Sequence, residues 1–101
     1  MQLNHYRLLG NSGLRVSPIS LGAMTFGDGT GRNASRADSL AMLEHYATQG
    51  GNFIDTANIY NFGESEQIVG EFIQRDRGRF VVASKYTMGM VEGQPNASGN
   101  H

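Results

Sequence analysis

The chain contains no cysteine. Disulfides and thiolate metal sites are therefore excluded. It has no apolar run approaching the ~18 residues that mark a membrane-spanning helix. It also lacks an excess of either charge: eight Lys and Arg stand against nine Asp and Glu, for a net charge of −1. Nothing in that balance favours nucleic acid or an anionic membrane as a partner. Met1–Arg7 carries no apolar segment of a secretory signal, so a cytoplasmic protein is expected. Asn33-Ala34-Ser35 and Asn96-Ala97-Ser98 match the glycosylation sequon, but without such a signal they read as plain loop residues. His5 falls on a candidate hairpin and His45 on a candidate helix, so no metal cluster is expected.

What is present is an alternation of short apolar runs and helical periodicity. Tyr6–Leu9 and Leu14–Val16 flank the turn-rich Gly10-Asn11-Ser12-Gly13, which predicts a hairpin. Pro18–Leu21 reads as a first buried strand. Ser35-Arg36-Ala37-Asp38 has the form of a capping box, with Asp38 in place of the usual Glu. The helix after it is predicted to bury Ala37, Leu40, Leu43 and Ala47, and Gly50-Gly51 ends it. A second strand closes on Asp55. A second helix begins near Gly63-Glu64, with Glu64 and Glu66 at the positive end of its dipole. Ile68, Val69, Phe72 and Ile73 form its buried face. Arg75 and Arg77 stand at its negative end, and Gly78 closes it. Phe80–Ala83 is the third strand. Residues 87–101 lack periodicity and read as loop. The order predicts an α/β fold with a parallel sheet and right-handed crossovers.

Two of the apolar runs, Asn52–Ile54 and Phe80–Ala83, lead into Asp55 and Lys85. If the two strands are neighbours they lie about 4.8 Å apart. Asp55 and Lys85 then share the C-terminal end of the sheet, where α/β proteins keep their chemistry. Tyr60 follows Asp55 in the loop above that end. A carboxylate, an ammonium and a phenol together make a proton-donor site. Taken singly, Asp55 and Lys85 read more readily as an inter-strand ion pair, and Tyr60 as a loop aromatic, than as functional groups. Gly27-Asp28-Gly29-Thr30-Gly31 invites a dinucleotide-binding reading. Its spacing is G-x-G-x-G rather than G-x-G-x-x-G, and a long loop separates strand from helix. It reads as a flexible connection.

Four stretches carry a family resemblance: Tyr6–Ser17 (YRLLGNSGLRVS), Ser20–Gly27 (SLGAMTFG), Gly51–Tyr60 (GNFIDTANIY) and Phe80–Tyr86 (FVVASKY). Together they cover most of the chain, in order. The sequence resembles the N-terminal part of an aldo-keto reductase, of the bacterial type related to potassium-channel β-subunits. The resemblance implies a hairpin capping the bottom of a (β/α)8 TIM barrel, followed by the first three barrel strands and two helices. It implies NADPH-dependent reduction of a small carbonyl substrate, an aldehyde or ketone. Tyr60 would donate the proton, Lys85 would stabilise the phenolate, and Asp55 would hold Lys85. Met24, Thr25 and Phe26, with Asp55, would approach the nicotinamide and its ribose. The phosphate and adenine contacts would come from the last barrel strands.

A (β/α)8 barrel takes about 250 residues or more, so 101 residues form only an early portion of a single barrel domain. Three strands leave two unpaired edges and an uncovered inner face. A stable monomer is not expected; a truncated gene, a gene fragment or an incompletely read sequence is. The resemblance also implies a His at the end of a fourth strand, to orient the substrate carbonyl. His101 does not fill that role, because no helix separates it from the third strand and a parallel crossover needs about a dozen residues or more. The alternative to a reductase is a non-catalytic fragment or an interaction scaffold related to the channel subunits.

Overall fold

The computed structural model describes residues 1–100; the expectation for His101 lies outside them. A two-stranded antiparallel hairpin comes first, β1 (Arg7–Leu8) with β2 (Arg15–Val16). A three-stranded parallel sheet follows: β3 (Leu21–Gly22), β4 (Phe53–Asp55) and β5 (Val81–Ala83), in the spatial order β3-β4-β5. Helices α1 (Arg36–Thr48) and α2 (Glu64–Ile73) form the two crossovers. Among the described residues, no helix is long and apolar enough to cross a membrane.

The strands show which face is covered. Side chains alternate across a strand, and Ile54 is fully buried while Phe53 and Asp55 on either side are half-buried. Ile54 packs with Leu43 of α1 and with Ile68, Val69, Phe72 and Ile73 of α2. Phe80 closes the cluster, its ring edge-on to Phe72 at 5.5 Å. All four predicted core residues of α2 are buried. The two helices are also linked at the surface by Arg36–Glu71 and by Arg75–Glu44, the latter at 2.6 Å. These pairs are about half exposed, so each is worth only about 0–1 kcal/mol.

Three expectations about α1 and the strand starts change. Ala37 is exposed; Ser39 and Tyr46 are buried instead, beside Leu43 and Ala47. Ser39 is tolerated there because its hydroxyl donates to the Ser35 carbonyl at 2.7 Å. The Tyr46 hydroxyl donates to the carbonyls of Ile19 (2.7 Å) and Phe53 (3.0 Å) and accepts from the Phe53 N–H (3.3 Å). The first parallel strand starts at Leu21 rather than Pro18. Upstream of it, the Ser17 N–H and the Ile19 carbonyl are taken by Asn52 and Tyr46 side chains, and proline has no N–H to give. β5 begins at Val81, because the Phe80 N–H turns back to the Arg77 carbonyl at 3.3 Å.

Ser35 caps α1 as expected, accepting from the Asp38 N–H at 3.1 Å. Gly50, at φ +95°, ends it in a Schellman arrangement: Gly51 N–H bonds Tyr46 O and Gly50 N–H bonds Ala47 O. The end of α2 differs from expectation. The helix stops at Ile73 and passes into 3₁₀ turns over Gln74–Arg79, and Gly78 does not adopt the left-handed conformation. The arginines there do not cap α2. Arg75 lies over the Phe72 ring, Arg77 bonds the Phe80 carbonyl, and Arg79 reaches the Ala47 carbonyl at the end of α1.

The hairpin sits at the N-terminal end of the sheet. Asn52, just before β4, accepts from the Ser17 N–H at 2.7 Å and donates to the Arg15 carbonyl at 3.0 Å. Tyr6 donates to the Gly50 carbonyl. The hairpin therefore leaves the opposite, C-terminal end of the sheet open.

Candidate active site

β4 and β5 pair in register Asp55↔Ala83. Lys85 is two residues past that pair, so its long side chain can turn back over the strand ends. Its Nζ donates to Asp55 Oδ1 at 2.8 Å and to the Thr56 carbonyl at 2.9 Å. Backbone bonds continue the ladder past the strands: Thr56 N–H to Ala83 O and Asn58 N–H to Lys85 O. These bonds bring the segment after β5 alongside the one after β4.

Tyr60 opens a short 3₁₀ turn, Tyr60–Gly63, leading into α2. Its ring centroid lies 5.2 Å from Lys85 Nζ. Carboxylate, ammonium and phenol ring thus meet at one end of the sheet. The Asp55 hydrogen bond holds the Lys85 ammonium above its ordinary pKa; partial burial opposes this and the Tyr60 phenol adds to it. Both charged side chains keep substantial exposure, 49% for Lys85 and 39% for Asp55, so the site is open to a ligand.

The turn holding Tyr60 is backbone-strained. Asn61 (φ +48°) and Phe62 (φ +54°) both adopt left-handed conformations, which are uncommon outside glycine and local to turns. Asn61 secures this turn from the other side: its Nδ2 donates to the Phe26 carbonyl at 2.7 Å, and its Oδ1 accepts from Asn33 at 3.1 Å. The 27–33 loop is correspondingly well tied rather than a loose connection. Asp28 accepts from Thr30 N–H and hydroxyl, both at 2.8 Å, and from Asn33. The Thr30 backbone bond, then the side-chain bonds, hold the Asp28 carboxyl below its usual range. A Cβ on Gly27, at φ +123°, would stand 2.9 Å from the Glu64 side chain.

The residues expected to face a nicotinamide separate. Met24 is 62% exposed just past β3. Thr25 is half-buried, and its carbonyl accepts from the Ala34 N–H. Phe26 is 1% exposed and belongs to the core. Its ring is turned away because β3 ends before it and the chain doubles back at the Phe26–Ala34 bridge. Phe26 therefore cannot present its ring to a ligand. Residues that periodicity did not single out also meet here: Thr56 through its carbonyl, Asn58 through its backbone, and Asn61. Thr56 and Asn58 follow Asp55 within the family-like stretch Gly51–Tyr60, which was the signal available for them.

A cavity of about 690 Å³ opens elsewhere, between α1 and the free edge of β3, lined by Leu21, Met42, His45 and Tyr46 among others. None of Asp55, Tyr60 or Lys85 lines it.

Residues 18–101 match the model of the Aldo/keto reductase family. The norsolorinic acid reductase of Aspergillus flavus is 42% identical over 110 aligned positions, covering 98% of this chain and 28% of that protein. The aryl-alcohol dehydrogenase [NADP(+)] of Phanerodontia chrysosporium is 43% identical, covering 83% of this chain and 23% of that protein. Among solved structures, the holo form of an aldo-keto reductase from Bacillus halodurans superimposes with a TM-score of 0.75 at 29% identity, covering 89% of this chain and 28% of the other. The chain thus spans roughly a quarter of the length of these relatives. Family match, fold likeness and sequence identity agree: this chain belongs to the aldo/keto reductase family.

Proposed function

We propose that this chain is the N-terminal part of a single (β/α)8 barrel that reduces aldehydes or ketones with NADPH, using Tyr60 as proton donor. One observation carries the reading: Lys85 Nζ lies 2.8 Å from Asp55 and 5.2 Å from the Tyr60 ring centroid, at the open end of a parallel sheet. The name of the Phanerodontia relative includes NADP(+), which supports the cofactor.

The residues present fit a nicotinamide riboside in part. Gly22, paired with Asp55, leaves open space where a side chain would stand. Met24 is exposed beside it. Asp55 engages Lys85 through Oδ1, and its second oxygen suits a ribose hydroxyl. Met24, the Thr25 backbone and Asp55 would hold that end of the cofactor; the Phe26 ring would not. Bound NADPH supplies hydride to the substrate carbonyl carbon.

The chain's own groups then manage the proton. The carbonyl oxygen gains negative charge as hydride arrives, and the Tyr60 hydroxyl protonates it. A free phenol is a modest acid, with a pKa of about 10. A neighbouring ammonium favours the phenolate left behind. Asp55 and the Thr56 carbonyl keep Lys85 charged and aimed.

The test joins this chain to the downstream barrel segments of the Bacillus halodurans enzyme and follows loss of NADPH absorbance with an aromatic aldehyde. Tyr60→Phe should lower turnover by about 10²–10⁴-fold, the usual worth of a general acid. NADPH affinity, read by fluorescence titration, should stay nearly unchanged. Undiminished turnover in Tyr60→Phe would refute the assignment.

A further inference from the structure

We propose that the buried hydroxyls of Thr56 and Ser65 are positioning residues that fix where the Lys85 ammonium stands relative to Tyr60. This rests on the catalytic reading of the same site. An ammonium has three N–H donors. Two have fixed acceptors here, Asp55 Oδ1 and the Thr56 carbonyl. The Asp55 carboxylate is partly exposed and can swing. The Thr56 carbonyl is backbone, so its direction depends on what holds residue 56.

Two things hold it. The Thr56 N–H donates to Ala83 O at 2.8 Å. Its side chain, 2% exposed, lies 2.8 Å from Ser65 Oγ. Ser65 is fully buried in the first turn of α2, and its hydroxyl donates to the Ala23 carbonyl at 2.7 Å. A serine has one hydroxyl proton, and Ala23 takes it. Thr56 must therefore be the donor to Ser65, so the chain runs Thr56 to Ser65 to Ala23. The Ala23 N–H in turn donates to the Asp55 carbonyl at 2.9 Å. The ends of β3 and β4 and the start of α2 are thereby tied to the two residues that hold Lys85. Burying two hydroxyls is unfavourable unless both are bonded. Here both are bonded, and Thr56 carries the carbonyl that accepts from the ammonium.

Lys85 is the only lysine in the sequence, so the complete-barrel fusion, assembled by ligation with ε-13C-lysine in this segment alone, shows a single ε-carbon resonance whose titration can be followed. Two titratable groups face it, Asp55 from β4 and Tyr60 from the following turn; Glu66 of α2 is engaged by the hydroxyl of Ser84, the residue before it. None of these is altered in the test variants. Thr56→Val keeps the side-chain shape and removes the hydroxyl. It should move the Lys85 titration to lower pH, because a displaced carbonyl no longer favours the ammonium. Thr56→Ser should restore the original titration. Ser65→Ala removes the acceptor and should act as Thr56→Val does; it is read alone if the valine variant loses the native amide spectrum.

In the complete-barrel fusion, Thr56→Val should lower turnover by about tenfold to a hundredfold through misplacement of the proton donor's partner. NADPH affinity should hold, and Thr56→Ser should rescue turnover. An unchanged Lys85 titration in Thr56→Val and Ser65→Ala overturns the proposal. So does a Thr56→Ser variant as impaired as Thr56→Val, which would mean that packing and not the hydroxyl matters. The catalytic reading is decided separately by Tyr60→Phe: its failure leaves the Lys85 titration free to stand or fall on its own.

Discussion

Tyr46→Phe isolates a single oxygen that joins three backbone groups. The phenol hydroxyl has one proton, and the Ile19 carbonyl at 2.7 Å is its better acceptor, with Phe53 O at 3.0 Å sharing it. The same oxygen accepts from the Phe53 N–H at 3.3 Å. Phenylalanine keeps the ring against Gly51 and removes only these bonds. Ile19 is exposed, so water can replace the donor to its carbonyl at little cost. The Phe53 N–H, at the start of β4 beneath the ring, loses its acceptor. A buried group left without a partner costs about 1–3 kcal/mol. Amide exchange at Phe53 in the complete-barrel fusion reads this directly, because each 1.4 kcal/mol is tenfold. Exchange at Phe53 should speed by about 5- to 150-fold, while amides of α2 such as Ile68 change little. A change of less than about twofold would refute the accounting. Equal acceleration in α2 would show that the hydroxyl supports the whole fold rather than the seam between α1 and β4.

In the complete-barrel fusion, Gly51→Ala would drive a methyl into the Tyr46 ring; the overpacking should destabilise by about 1–3 kcal/mol, read as a lower thermal midpoint. The raised pKa of Lys85 predicts a definite sign of pH dependence. A group whose pKa is raised by folding contributes stability that is fully present below its unfolded value, 10.5, and is lost as pH rises through the folded value. Stability of the complete-barrel fusion should therefore decline above about pH 10.5 more steeply than that of its Asp55→Asn variant, whose amide no longer attracts the ammonium. Parallel stability curves for the two would contradict this.

Local signals in the sequence specified much of the architecture. Ser35 and Gly50-Gly51 delimit α1 by bonds made within a few residues of themselves. The i, i+3, i+4 spacing of Ile68, Val69, Phe72 and Ile73 selects one helix face whatever it packs against. The apolar runs ending near Asp55 and Lys85 already implied neighbouring parallel strands, with both residues at one end. What required the folded chain were interactions between distant segments. Periodicity gives a helix face only to within about one position, so whether Ala37 or Ser39 and Tyr46 point inward depended on where β3 and β4 lie. The start of β3 was set by Asn52 and Tyr46, 35 and 27 residues from the groups they bind. Phe26 reads locally as a strand-end residue, but the doubling back at Ala34 puts it in the core. Arg75 and Arg77 satisfy dipole rules locally, yet in the fold Arg75 lies over Phe72 and Arg77 bonds the Phe80 carbonyl. Local pattern and spacing therefore indicated the elements and brought out Asp55, Tyr60 and Lys85 as a candidate site. Their mutual aim was decided only in three dimensions, because a hydroxyl such as that of Ser65 acquires its role from a carbonyl 42 residues away, a separation that no local pattern encodes.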